Sequence, residues 1–129
     1  MATITNLNDD AYEVTPDNLV LAGELPQVRR ILAVKNPTSL ALARGMAIIA
    51  DSSSNLYVAG TKSDGTTIAG DIVAVVAEDM DLDTTSATIP VDCYVFGAFN
   101  ADYVSSIESL DITTAAYVLG AQGNGIYLK

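Results

Sequence analysis

Residues 70–85 read GDIVAVVAEDMDLDTT, and this stretch decides the fold. Six apolar residues run without a break from Ile72 to Ala77, and four acids follow in the next six positions. A strand that is apolar on both faces is buried on both faces. The run therefore predicts a central strand, and the acids predict the point where the chain leaves the core for water.

The acidic run allows two chemical interpretations besides solvation. Asp79, Asp81 and Asp83 alternate, so a strand would place them on one face. A calcium loop uses such oxygens, but it also needs a glycine at its turn and a glutamate at its end, and residues 78–89 have neither. A carboxylate pair for glycoside hydrolysis needs a fixed separation and a cleft, neither of which a sequence displays. We therefore expect no metal site and treat the run as the solvated end of a buried strand.

The segments on either side of this run also have the pattern of strands. Short apolar segments with this pattern are VRRILAV, GMAIIA, LYVAG and IYLK, and the Asp64-Gly65 pair predicts a tight turn between LYVAG and the central strand. ATIPVDCYVF, residues 87–96, alternates cleanly, with Cys93 on its apolar face. Because Pro90 cannot donate to a ladder, this strand lies at an edge or begins near Pro90.

Two short helices are predicted near the C-terminus. Asn100 can cap residues 101–110, and Asp111 or Thr113 can cap residues 114–121. Three glycines are expected to end the second helix: Gly120, Gly123 and Gly125. Many short strands followed by late helices predict a mainly β (α+β) fold.

Residues 1–27 differ from the rest of the chain. They are rich in Asn, Asp and Glu, contain Pro16 and Pro26, and space their apolar residues singly with neither helical nor strand period. We expect an extended N-terminal arm over residues 1–27, followed by a β-rich domain over residues 28–129. Such an arm is ordered when it docks on a partner or on its own domain.

Composition excludes several classes of function. The 129 residues include 6 Lys and Arg against 16 Asp and Glu, a formal charge of −10, which opposes binding to nucleic acid. Histidine, the commonest general base and metal ligand, is absent. The first residues lack the pattern of a signal peptide, and no apolar run reaches the ~18 residues of a membrane span. We expect a protein made without export that binds neither nucleic acid nor membrane.

Nothing in the sequence resembles catalytic machinery. Cys93 has no histidine partner, so we expect a core residue and not a nucleophile. The GAQGNG segment follows a predicted helix, whereas a phosphate loop precedes one. We therefore expect neither enzymatic activity nor a cofactor.

An Asp64-Gly65-Thr66 turn leads to Ala69-Gly70, and the apolar strand that follows runs into Glu78 and Asp79. A threonine-rich gap and a second strand come next, and this strand ends in Gly97-Ala98-Phe99-Asn100. Through these features residues 56–104 resemble the phage head decoration proteins, the family of the lambda head protein D. The closing GIYLK is also similar to the ends of such proteins.

The resemblance implies a small β-clip domain that assembles as trimers on the outer face of an icosahedral phage capsid. In that family the trimers cement neighbouring capsomers against the pressure of packaged DNA, and the N-terminal segment adds to a sheet of the major capsid protein. The apolar residues of the arm are then the candidate capsid contacts: Ile4, Leu7, Tyr12, Val14, Leu19 and Leu21. The loops that flank the buried strand are the candidate trimer contacts, through Thr61, Asp64, Thr66, Thr67, Ile68, Thr84 and Thr85.

Three other interpretations compete with capsid decoration. Another virion module, such as a head-fibre base or a tail component, fits the same pattern. A trimeric nucleotide hydrolase with a related β fold needs a phosphate pocket, which is difficult to build from Arg29, Arg30 and Arg44 alone. A bacterial surface module is disfavoured by the missing export signal.

Overall fold

The computed structural model describes residues 19–21, 26–37, 41–81, 86–107 and 111–129. Eight strands lie within these ranges: β1 (Val28–Lys35), β2 (Ala47–Ala50), β3 (Leu56–Val58), β4 (Lys62–Ser63), β5 (Thr66–Thr67), β6 (Asp71–Val76), β7 (Thr88–Phe99) and β8 (Ile126–Leu128). One α-helix, α1, spans Ala115–Gly123, and a 3₁₀ helix spans Ala101–Tyr103. The fold is mainly β, as the sequence predicts.

A curled, six-stranded sheet forms the body of the protein. Its order is β1-β7-β6-β2-β3 with antiparallel neighbours, and β8 adds to β7 in parallel. Because the sheet curls, Cα atoms of the two edge strands β1 and β3 approach within 8 Å. β4 and β5 form a separate hairpin, whose turn residues Asp64 and Gly65 both have positive φ, as the predicted tight turn requires.

The central strand β6 contributes to two cores, which confirms that it is buried on both faces. Ile72, Val75 and Ala77 pack in the first core, beneath α1 and β8. Ala74 and Val76 pack in the second core, inside the curl, with Val34, Val58, Val91 and Cys93. A register shift between Ile48 and Ile49 of β2 accompanies the change of face along β6.

Strand β7 begins where Pro90 predicts. It starts at Thr88, and near Pro90 it pairs with β1. The described contacts with β6 begin further along, where the amide of Ala77 donates to the carbonyl of Asp92 and Val76 pairs with Cys93. The missing N–H of proline therefore falls where β1 is the strand neighbour of β7 within the described ranges.

The first predicted helix, over residues 101–110, does not form as a continuous helix in its described part, and residues 108–110 lie outside the described residues. Asn100 does cap Ala101–Tyr103, since its side chain accepts from the amide of Asp102, but the chain is extended again at Val104. Ser105 then bonds to the backbone of Gly45 and Ala47 at the start of β2, and the side chain of Val104 is buried. Tertiary pairing with the sheet thus overrides the local helix signal.

The second predicted helix exists, but its predicted ends need correction. Asp111 accepts from the amide and hydroxyl of Thr113 in a turn, and α1 begins after Thr114, whose side chain makes no cap bond. Gly120 lies inside α1, where a Cβ would meet the carboxylate of Asp71 at 2.5 Å. The absence of a side chain at Gly120 therefore allows α1 to pack closely on β6.

Candidate functional site

The predicted capsid contacts fall in two groups. Ile4, Leu7, Tyr12 and Val14 lie outside the described residues. Leu19 is 5% exposed and packs in the first core, so its assignment to a partner surface is corrected: the side chain is buried within its own domain. Leu21 is partly buried, and its amide donates to the carbonyl of Ala98 at 3.0 Å.

Residues 19–21 therefore belong to the β domain and not to a free arm. The amide of Asn100 donates to the carbonyl of Leu19 at 2.8 Å, and Val20 forms an antiparallel bridge with Phe99. The chain packs against β7 well before the domain boundary predicted at residue 28. Sequence reasoning missed this because the spacing of Leu19 and Leu21 shows no period that continues into a longer strand.

The predicted trimer contacts cluster on the β4–β5 hairpin. Asp64 and Thr66 are exposed at the turn, and Thr67 is partly buried. The hydroxyl of Thr61 donates to the carbonyl of Val58 at 2.6 Å, and Ile68 packs against the first core. Thr84 and Thr85 lie outside the described residues. The hairpin thus presents a small polar surface shortly before the start of β6.

A charged cluster that sequence reasoning missed joins β1, β7 and the end of β6. The guanidinium of Arg29 pairs with both Glu78 and Asp92, and its Nε lies 3.3 Å from Oδ1 of Asp92. Hydrogen bonding to Asp92, and then to Glu78, raises the pKa of Arg29. The same bond from Arg29 lowers the pKa of Asp92.

Tyr94 lies next to this cluster and contacts two arginines. The Cζ atoms of Arg29 and Arg44 are 5.6 and 5.4 Å from the centroid of its ring, within cation–π range. Nη1 of Arg44 also donates to the hydroxyl of Tyr94 at 3.0 Å and to the carbonyl of Ala77 at 2.6 Å. The two arginines are held by protein groups, as in a structural network.

Two acids of the acidic run are bound within the same network. Glu78 pairs with Arg29, and Oδ1 of Asp79 accepts from the amide of Arg44 at 2.7 Å. Asp81 is exposed, and Asp83 lies outside the described residues. Within the described ranges, no group of three or more His, Cys, Asp or Glu side chains is arranged to hold a metal ion.

Cys93 is a core residue, as predicted. Its side chain is fully buried in the second core, and burial raises the pKa of the thiol to about 12. Its Sγ lies 3.5 Å from the carbonyl of Val91. At neutral pH the thiolate needed for nucleophilic chemistry is therefore scarce.

Two clefts have no arginine or lysine among the described residues of their walls. The larger, about 570 Å³, lies between the Asp51 turn, Asp71 and the first turn of α1. The smaller, about 420 Å³, lies between residues 41–43 and 79–81. In the larger cleft, Asp51 accepts from the amides of Ser53 and Asn55 at 2.9 Å, which lowers its pKa and fixes it as a turn residue. Acidic walls make both clefts poor binders of phosphate.

The remaining candidate is a surface for another protein. β1 is an edge strand, and its side chains are exposed from Val28 to Ile31, with Ile31 73% exposed. Three of the chain's six Lys and Arg also lie on β1: Arg29, Arg30 and Lys35. An apolar, basic edge on an acidic protein is a feature of a binding surface.

Comparisons with known proteins provide no information on the function. No family model matches this sequence, and no curated protein matches it. In the described ranges, no helix is long and apolar enough to cross a membrane.

Proposed function

We propose that this protein is a decoration protein that binds as trimers to the outer surface of an icosahedral phage head and stabilises it. The observation that carries the proposal is the resemblance of residues 56–104 to the phage head decoration proteins. The residues of that likeness occupy fold-determining positions in this chain: the Asp64-Gly65 turn, β6, and the end of β7 at Gly97–Asn100. The likeness thus concerns a fold and its surfaces, which is what a cementing protein requires.

The charge of the protein supports a place on the outside of a particle. A formal charge of −10 disfavours contact with packaged nucleic acid and with nucleic acid released at lysis. The arginines with described contacts support the same view, because Arg29 and Arg44 are used for internal bonds to carboxylates, a carbonyl and Tyr94.

The partner in this proposal is the major capsid protein, and residues 1–18 provide the anchor. Four apolar residues of this segment are spaced singly, as in a strand that gains affinity from main-chain bonds and fills a few pockets: Ile4, Leu7, Tyr12 and Val14. Burial of such a side chain contributes roughly 1.5–3 kcal/mol. Ordering the backbone costs about 1–2 kcal/mol per residue, so one arm binds weakly. Three arms on one trimer give tight attachment through avidity.

Head binding by a truncated protein tests the proposal. Because Leu19–Leu21 are part of the β domain, the deletion removes residues 2–18 and leaves Leu19 in place. We expect the full chain to sediment with assembled heads of the virus that encodes it, in copy numbers divisible by three. The truncated chain should keep a cooperative unfolding transition and lose head binding.

Two results would contradict the proposal. Full occupancy by the truncated chain would place the cementing surface on the β domain and remove the role of the arm. A full-length chain that is found on tails or fibres, and not on heads, would favour a different virion module.

A further inference from the structure

The edge of β1 offers room for another strand. Among the described residues, β7 is the strand that pairs with β1, and it lies along one edge. The second half of β1 approaches β3 through the second core, to which Val34 and Val58 both belong. The first half, from Val28 to Ile31, is exposed. Such an edge is a template for strand addition unless something covers it.

Arg30 is the basic residue on this edge that an acidic strand would meet. It is exposed and forms no ion pair within the described part of the chain. Arg29, in contrast, is already paired with Glu78 and Asp92. An incoming strand with a carboxylate beside Arg30 would therefore gain an interaction that the isolated domain lacks.

The chain itself carries a segment with this chemistry. Residues 9–15 read DDAYEVT, which contains three acids, and residues 1–27 hold no Lys or Arg. Tyr12 and Val14 alternate with Glu13, so in a strand they share one face with Asp10, while Glu13 shares the other face with Asp9. Pro16, which follows the segment, cannot donate to a ladder and sets its limit.

The two faces of this segment match the two faces of β1. Arg29 and Ile31 share one face, and Arg30 lies on the other. When Tyr12 and Val14 lie along the face of Ile31, Glu13 lies on the face of Arg30. We propose that residues 9–15 of a second copy of this chain add as a strand to the open edge of β1, with Glu13 beside Arg30.

The placement of residues 19–21 favours a second copy over the same copy. This segment and β1 both run antiparallel to β7, and Leu19 lies level with Asn100, beyond the start of β1. A chain preceding Leu19 must reverse direction to reach its own β1. A reversal at residues 16–18 would set residues 9–15 beside residues 19–21 and the link to β1. It would bring residues 1–8, which hold no acid, to Arg30.

This inference rests on the proposed function in one respect, because it takes copies of the chain to assemble as a closed ring. In a ring of three, each copy gives one segment and receives one, so each β1 edge is covered. The exchange replaces part of the capsid anchor proposed above, because Tyr12 and Val14 then contact the neighbouring copy and not the capsid. It leaves residues 1–8, with Ile4 and Leu7, to reach the capsid.

Disulfide trapping between differently tagged copies of the full-length chain tests the exchange. One copy carries Glu13→Cys and the other carries Arg30→Cys; the two are co-expressed and oxidised without heads. Cys93 is fully buried and does not compete. We expect a covalent heterodimer, at roughly tenfold the yield of a control with Lys62→Cys in place of Arg30→Cys, because a disulfide needs Cβ atoms about 4 Å apart. Lys62 is an exposed basic strand residue on the separate hairpin.

The outcomes separate this inference from the proposed function. A yield equal to that of the control would contradict strand exchange and leave Arg30 as a charge that only discourages aggregation. Linkage confined within one chain, in a variant that carries both cysteines, would assign the segment to its own copy. Efficient linkage between copies, together with failure to bind heads, would keep the exchange and remove only the capsid assignment.

Discussion

The two ends of β7 differ in burial: one end lies in the protein core, and the other end forms part of the surface. At its C-terminal end, Ala98 and Phe99 are fully buried, with residues 19–21 on one edge and β8 on the other. At its N-terminal end the described strand pairing is with β1, Pro90 is exposed, and Asp92 pairs with Arg29. We call these the closed end, Gly97–Phe99, and the open end, Thr88–Asp92.

The difference comes from what covers each end, and not from the composition of the strand. Apolar and polar residues alternate at the open end, where the second core buries one face through Ile89 and Val91. At the closed end, residues 19–21 bond to one edge and β8 pairs with the other, and the ring centroids of Phe99 and Tyr94 are 5.4 Å apart. Substitutions should therefore be costly at the closed end and mild on the open surface.

The largest effect is expected for Phe99→Ala. Removing this fully buried ring should lower the free energy of unfolding by about 3–5 kcal/mol through lost burial and the cavity left behind. Ile31→Ala, on the exposed edge next to the open end, is the control and should change it by less than about 0.5 kcal/mol. Urea unfolding measures both, and equal costs would invalidate the distinction between the two ends.

Leu19→Ala should come next in size. The side chain lies in the first core, so its truncation should cost about 2–5 kcal/mol. Leu21→Ala, at a partly buried position on the same segment, is the matched control and should cost less. If Leu19→Ala is neutral in urea unfolding, residues 19–21 are an arm and not a part of the closed end.

Cys93→Ala tests the middle of β7, where the two ends meet. Loss of the fully buried sulfur should cost about 1 kcal/mol, as a small cavity does. In the wild type, a thiol reagent should react after unfolding and not before, because the pKa of the buried thiol is raised to about 12. Rapid labelling of the native protein would contradict the placement of Cys93 in the second core.

The smallest effect concerns acid pH at the open end. Hydrogen bonding from Arg29 lowers the pKa of Asp92 in the folded state. Its contribution to stability is therefore present above the unfolded pKa of about 3.9 and is lost as the pH falls through the lower, folded pKa. Arg29→Gln should reduce the loss of stability between neutral and acid pH, while the contributions of Asp51 and Asp111 remain. Urea unfolding as a function of pH measures this, and an unchanged profile would mean that the ion pair does not affect stability.

The sequence predicts the strands well because period and turn chemistry are local. The apolar run of β6, the alternation of β7 and the Asp64-Gly65 turn all form where their patterns indicate. The helix predicted over residues 101–110 fails because Ser105 bonds to Gly45 and Ala47, a contact with no local signal.

The charged cluster could not be predicted, because it depends on register. Arg29 lies opposite Tyr94 only with the irregularity between Val28 and Arg29, and Glu78 reaches it from the end of another strand. The available sequence signals were a basic residue in an apolar strand, Arg29, and an acid in a neighbouring strand, Asp92. The burial of Leu19 likewise depends on contacts with Asn100 and the first core, which are distant in sequence.

A reconstruction of heads saturated with the full-length protein tests whether the protein decorates capsids as trimers. We expect density for three copies around each local three-fold position on the outer surface of the capsid. We also expect this density to be absent from heads mixed with the chain that lacks residues 2–18. Isolated monomers, five-fold rings, or bare heads in the presence of folded full-length protein would exclude decoration by trimers.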